Sequence, residues 1–367
     1  MVFLNINFIT EDVAQRYKYE TMIVAFRWIR LILAYLFFIL AVICAVNYQI
    51  TIYLIHQGRG QLGVLLNTQS ISDYSQQNNL SIQEKENCLL IEKIKAYSID
   101  SLGYLPTKNF TTIYDQKQSP ILWVITASEP YQLKAYEWTF PVIGTVSYKG
   151  FFKKELALKE YNHLIAEGYD VDMRSVSAWS TLGWFNDPLL SSMLKRSKGS
   201  LCNLLFHELF HATYYAPNSV NFNENIANFV AHKATIKFLK NDTTALNNYL
   251  NNYFDNKIYT NFMIRQANYL KTYYPSIKNK SNKQILKFKK LWQITDSLKH
   301  LPFKNKNKFI ARTEDILKYK NAYFIDFEQY DSMQDSLELN FNKIYNGNLK
   351  KLVQDLKQDK TIIKFDN

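Results

Sequence analysis

His207, Glu208 and His211 stand in the order His-Glu-x-x-His inside the apolar run Leu201–Phe210, the spacing that a zinc site on a helix requires. Four residues of α-helix turn the chain about 40° beyond one full revolution, so both imidazoles leave the same face. Two neutral rings so placed can share one Zn2+, and Glu208, displaced around the helix, can reach a water on the metal without taking a coordination position. The expected chemistry is peptide hydrolysis. Zinc lowers the pKa of its water to about 7, Glu208 takes the proton as general base, and a polarised peptide carbonyl is attacked. Glu208 then hands that proton to the leaving amine. A buried structural histidine pair is the competing reading of the motif alone.

A catalytic zinc needs a third protein ligand and an open position. Ala216-Pro217-Asn218-Ser219 breaks the first helix, and a second is expected to open near Asn223 with Glu224 at its start. Ala227, Ala231 and Ala234 then recur at intervals of three and four, a stripe of small residues that lets this helix approach the first. No other acidic residue lies between Glu208 and Asp242, so Glu224 is expected to complete the metal site. The alternative is an acid that merely suits a helix N-terminus. Asn228, one turn on, can accept a hydrogen bond from a ligand histidine and fix its tautomer, or be a plain surface asparagine. For the developing oxyanion, Tyr214, Tyr215, His232 and Tyr330 are candidate donors, but in a chain with 26 tyrosines the sequence does not choose among them.

The elements that must hold these residues are legible in outline. Ile121–Thr126 and Trp138–Tyr148 are β-branched and aromatic with turn signals between them and read as strands. Phe152–Gly168 reads as a helix closed by glycine, and Val171–Trp179 as a further strand. Thr51–Asn67 and Ile82–Tyr97 carry helical spacing. Beyond Ala234 the pattern is helical to the end, interrupted near Pro275 and Pro302. The expected division is a cytoplasmic segment over 1–30, a membrane helix over 31–50, a helical lead-in over 51–120, a catalytic core over 121–240 and a helical region over 241–367.

The membrane helix rests on Leu31–Val46, which carries no charge and spans about 24 Å as a helix. Arg16, Lys18, Arg27 and Arg30 precede it, whereas Arg59 alone lies between its end and Lys85. That bias places the N-terminus in the cytoplasm and the remainder outside the inner membrane, on the periplasmic side. Cys44 follows an apolar lead-in of lipoprotein type, but Ile43 is too bulky for the residue that should precede a lipidated cysteine, so an uncleaved anchor is expected, with lipidation at Cys44 as the alternative. Three cysteines, Cys44, Cys88 and Cys202, offer no disulfide framework and no thiolate cluster. The net charge of +12 is spread over lysines that are thickest around Lys278–Lys308. With no nucleic-acid motif beside them these read as solvated helix faces, and no nucleic-acid partner is expected.

Several segments together resemble the bacterial putative aminopeptidase family, membrane-attached zincins of the glutamate-ligand type. They are YLIHQGRGQLGVLLN (Tyr53–Asn67), WTFPVIGTVSYKGFF (Trp138–Phe152), GYDVDMRSVSAWSTLGWFNDPLLSSML (Gly168–Leu194), HELFHATYY (His207–Tyr215), NENIANFVA (Asn223–Ala231) and, more loosely, KNAYFIDFEQY (Lys320–Tyr330). The resemblance implies a zincin-like α+β fold in which a small mixed sheet packs on the active-site helix, followed by a mostly helical C-terminal half. It also implies that zinc sits on His207, His211 and Glu224, that Glu208 is the acid/base, and that peptides are the substrate. Thr181-Leu182-Gly183-Trp184-Phe185 would line the cleft, where an extended substrate can pair with backbone groups. Thr139 and Thr145 stand where many relatives carry a cysteine pair. No separate acidic motif for a substrate's free α-amine is visible, which leaves a second reading open: a membrane-tethered scaffold that keeps the fold without catalysis.

Overall fold

The computed structural model describes residues 3–140, 144–176, 186–217, 219–325, 327 and 333–358, with the side chains of 3–18 and 20 outside that set. The chain divides into two compact units, Met1–Arg59 and Gly60–Asn367, each of which follows by itself.

The first unit is built on α1 (Phe3–Val46) and the start of α2 (Tyr48–Leu66). At the step between them, Asn47 donates to the Ile43 carbonyl at 3.0 Å and Thr51 to that of Cys44 at 3.1 Å. Within α1, Thr21–Val46 is a 26-residue stretch whose most apolar 18-residue window has a mean hydropathy of 2.7, and none of that window is buried. By length and composition it can cross a bilayer. A core helix would bury such a surface, whereas Phe26, Phe37, Phe38 and Leu40 all stand exposed. By length and composition the candidate span begins at Thr21, ten residues before the uncharged run from Leu31, and takes in Arg27 and Arg30.

The second unit is α+β. Its strands are β1 (Thr68–Ser70), β2 (Thr112–Tyr114), β3 (Trp123–Ser128), β4 (Trp138–Phe140), β5 (Gly144–Val146), β6 (Lys149–Phe151), β7 (Asp170–Ser175) and β8 (Leu189–Leu190). The early helices are α3 (Ile71–Gln77), α4 (Ile82–Asp100), α5 (Lys154–Ala166), α6 (Lys198–His211) and α7 (Val220–Phe238). They are followed by α8 (Thr243–Ile277), α9 (Lys283–Lys299), α10 (Lys306–Ile310), α11 (Arg312–Tyr319), α12 (Asn321–Ile325), α13 (Gln334–Tyr345) and α14 (Leu349–Lys357).

In place of one mixed sheet, the described strands form three small ones, ordered β1-β2-β8, β6-β3-β7 and β4-β5. The lead-in over 51–120 therefore supplies strands β1 and β2 as well as helices. β3 is the centre of the largest sheet, paired antiparallel on both sides, and each residue from Val124 to Ser128 is buried. An unbroken buried run needs cover on both faces, and α5 and α12 both pack on β3 and β7. α5 ends as expected at a glycine, Gly168, whose φ of 90° suits a residue without a Cβ. In the β4-β5 hairpin, Thr139 and Thr145 face each other in register with their hydroxyl oxygens 3.1 Å apart. The helical pattern breaks near Pro275 as expected: the proline lies inside the last turn of α8, the helix ends two residues later at Ile277, and α9 opens at Lys283.

Two apolar cores fill this unit. One gathers side chains of α4, α6, α7, α13 and α14 with Leu189 and Leu190, and the other those of α8, α9 and the short helices after them. Cys88 and Cys202 lie buried in the first core and are not bonded. α6 is seated closely on α8 at Gly199, where a Cβ would stand 2.6 Å from that of Tyr249. Gly199→Val is therefore expected to destabilise the protein by about 1–3 kcal/mol through overpacking, read as a lowered midpoint in thermal or denaturant unfolding of the full chain.

Candidate metal centre

α6 presents His207 and His211 from consecutive turns, and the core holds the rest of the helix fixed. Leu201, Cys202, Leu205, Phe206, Leu209 and Phe210 are all buried, so the remaining face, bearing the two histidines, is the one free to turn outward. Helix α7 folds back against it, with Ala227, Ala231 and Ala234 wholly buried in the same core. The turn between the helices is clamped by one side chain. The Ala216 amide donates to Asn223 Oδ1, and Asn223 Nδ2 donates back to the Ala216 carbonyl, both at 2.8 Å. That reciprocal pair fixes where α7 begins, and hence where the next residue, Glu224, points. α7 opens at Val220, so Glu224 lies a full turn inside the helix and is not its first residue.

His207 Nε2 and His211 Nε2 face each other at 3.0 Å, and Glu224 reaches them with one oxygen each, at 3.4 and 3.3 Å. Among the described residues, these three form the one group of metal-competent side chains that converges on a point. For bonds of about 2.0–2.1 Å to a tetrahedral zinc, neighbouring donors stand roughly 3.3 Å apart. The three observed separations match that edge, so two imidazole nitrogens and a carboxylate suit zinc in both chemistry and spacing. The histidines are largely enclosed, at 15% and 22% side-chain exposure, while Glu224 is 51% exposed at the mouth.

Electrostatically the group is tightly linked. At His207, burial disfavours the charged ring, but the Glu224 hydrogen bond and the charges of Glu208 and Glu224 outweigh it and raise the pKa. At Glu224 burial is likewise overcome, here by hydrogen bonds to both histidines, and the carboxyl is held well below the usual range. Burial pushes the Glu208 carboxyl up, helped by the charges of Glu224 and Asp187 and opposed by the two histidines. Glu208 thus sits within electrostatic reach of all three metal-competent groups.

The other candidates separate. Asn228 lies near enough to His207 to add, as the smallest of the influences on it, to the rise in that ring's pKa. Tyr214 packs its ring between Phe210 and Phe222, and Tyr215 is 49% exposed. His232 belongs to another cluster: its Nδ1 lies 2.8 Å from the Tyr249 hydroxyl, its ring stacks on Tyr253, and burial lowers its pKa to about 4. Gly183, Trp184, Phe185 and Tyr330 lie outside the described residues, as do Thr181 and Leu182. Sequence reasoning missed Asp187 and Asn223. Asp187 is buried, and the Asn109 side chain accepts from its backbone amide. A buried acid just upstream of the metal motif carries no spacing signal of its own. The sequence marks Asn223 only as the neighbourhood in which a helix opens; its clamp on Ala216 is a contact from the first turn of α7 to the preceding loop, which spacing does not display.

A family model described as "Putative aminopeptidase" matches residues 52–363. No curated protein and no solved structure matches the chain.

Proposed function

The chain belongs to the putative aminopeptidase family, and from that membership we propose that it is a zinc-dependent peptidase of zincin type, with aminopeptidase action. The observation that carries the zinc assignment is the meeting of His207 Nε2, His211 Nε2 and the Glu224 carboxylate at 3.0–3.4 Å. These three residues hold the ion. When bound, zinc supplies Lewis acidity, which activates water and polarises a peptide carbonyl.

Glu208 performs the proton transfers. It takes a proton from the attacking water and returns it to the amine of the departing peptide half, so the proton inventory closes over one turnover. Asn228, one turn beyond Glu224 on α7, accepts from the His207 ring and fixes its tautomer. The Asn223 clamp sets the start of α7 and keeps Glu224 opposite the two rings. The apolar helix Thr21–Val46 anchors the chain in the inner membrane as a single pass. Arg16 and Lys18 before it, with Arg27 and Arg30 in its first ten residues, keep the N-terminus cytoplasmic and the catalytic unit periplasmic.

Cleavage of a peptide library by the full chain, before and after chelation, tests this reading. Activity is expected to vanish on chelation, to return with added zinc, and to fall at least about tenfold when the free α-amine is acetylated, since an unpaired amine subsite loses its charge-assisted contact. Equal cleavage of free and acetylated peptides would remove the aminopeptidase assignment while leaving the zinc peptidase standing. Activity that survives full metal removal would remove both.

A further inference from the structure

Helix α9 (Lys283–Lys299) buries Lys287, Leu291, Ile294, Thr295 and Leu298 on one side. On the neighbouring side Ile285, Phe288 and Trp292 stand on successive turns at 70%, 55% and 53% exposure. Three large apolar side chains in line are more than the scattered exposure normal for a soluble surface. They border a cavity of about 790 Å3, which Tyr131, Ile165 and Tyr169 also line. At its base Lys287 is turned inward, donating to Asp170 and to the Pro130 carbonyl. That lysine is therefore spent on the fold.

The charge around the stripe has one sign. Seven lysines and a single acid, Asp296, occur between Lys278 and Lys299, and with Lys287 neutralised by Asp170 the excess remains strongly positive. Lys278, Lys280, Lys289 and Lys299 are exposed. A basic helix with an exposed Ile-Phe-Trp stripe has the composition of one that lies in a bilayer interface, its apolar side chains at the acyl boundary and its lysines among anionic headgroups. We propose that the α9 face docks on the surface of an anionic membrane. Two features of this chain favour lipid over a protein groove: the one-signed lysine rim, and a chain that already carries a helix able to cross a bilayer. Tethering by such a helix would keep the surface at high effective concentration. The inference is independent of the zinc assignment.

The test uses the full chain with Cys44→Ser, which leaves only the buried Cys88 and Cys202, plus one exposed cysteine carrying an environment-sensitive fluorophore. Phe288→Cys and Ile285→Cys report on the stripe, and Leu339→Cys, exposed on α13, is the control. The chains are reconstituted into vesicles of phosphatidylglycerol and phosphatidylcholine, or of phosphatidylcholine alone, each with a headgroup-proximal doxyl quencher. Labels at 288 and 285 are expected to blue-shift and be quenched in the anionic vesicles, well beyond the label at 339. Omitting phosphatidylglycerol should release them. Lys289→Gln and Lys299→Gln should each lower the docked-to-free ratio about fivefold. Labels at 288 and 285 quenched no more than the control would overturn the proposal. So would burial of the stripe that appears only as protein is crowded on the vesicle and is accompanied by energy transfer between chains, since a second copy would then be the occupant. Flotation of the same samples reads the anchor separately: a chain that floats with unquenched labels keeps its anchor and loses the docking face.

Discussion

Glu208→Gln is expected to lower peptide turnover by about 10²–10⁴-fold, the usual contribution of a positioned general acid/base, while zinc content stays at the parent level. The substitution preserves shape and removes one property, the ability to accept and return a proton. Glu208 holds no position among the three converging donors, so its neutral replacement leaves the metal-holding group intact. Folding should not suffer either, because burial works against the charged carboxylate at this position and glutamine relieves that cost. Steady-state cleavage, zinc analysis and a melting curve on the same preparation check all three statements. Parent-level turnover by Glu208→Gln would mean that another group moves the proton.

Glu224→Ala should fail differently. It removes one of three protein donors and leaves two imidazoles facing each other at 3.0 Å with nothing to complete the set. Loss of an outer-shell partner commonly weakens metal binding about 10–100-fold, and loss of a direct ligand should exceed about 100-fold, so the purified variant is expected to carry little zinc and to show no cleavage. Competition with a chromogenic chelator measures the affinity, and zinc analysis the content. Glu224 is half-exposed at the mouth, so the fold should survive its truncation. A Glu224→Ala chain with parent zinc affinity would show that the carboxylate is an ordinary helix-surface acid. Taken together, the pair of variants separates holding the ion from moving the proton.

Legibility from sequence followed the range of the interactions involved. His207, Glu208 and His211 lie within five residues on one helix, where helical geometry alone dictates which side chains share a face. Glu224 could be singled out because local acids were scarce, and the buried Ala227, Ala231 and Ala234 were visible as a small-residue stripe before any packing was known. Strand β3 was visible because its six residues, WVITAS, are long enough to display β-branched and aromatic composition. The two- and three-residue strands β1, β2 and β8 were not: too short to show a period of two, they pair across more than forty residues of intervening chain. The Asn223 clamp is a tertiary contact between a side chain and a loop backbone. The lysines of α9 look in the sequence like a solvated face, since composition does not tell that Lys287 turns inward to Asp170 while Phe288 and Trp292 turn out.

One ion shared by residues of α6 and α7 underlies the proposed chemistry, and anomalous diffraction at the zinc absorption edge from crystals of the full chain tests it most directly. The expected result is one strong peak about 2 Å from His207 Nε2, His211 Nε2 and a carboxylate oxygen of Glu224. A peak bound elsewhere on the chain, or a well-ordered site under saturating zinc with no peak between those three side chains, would contradict it.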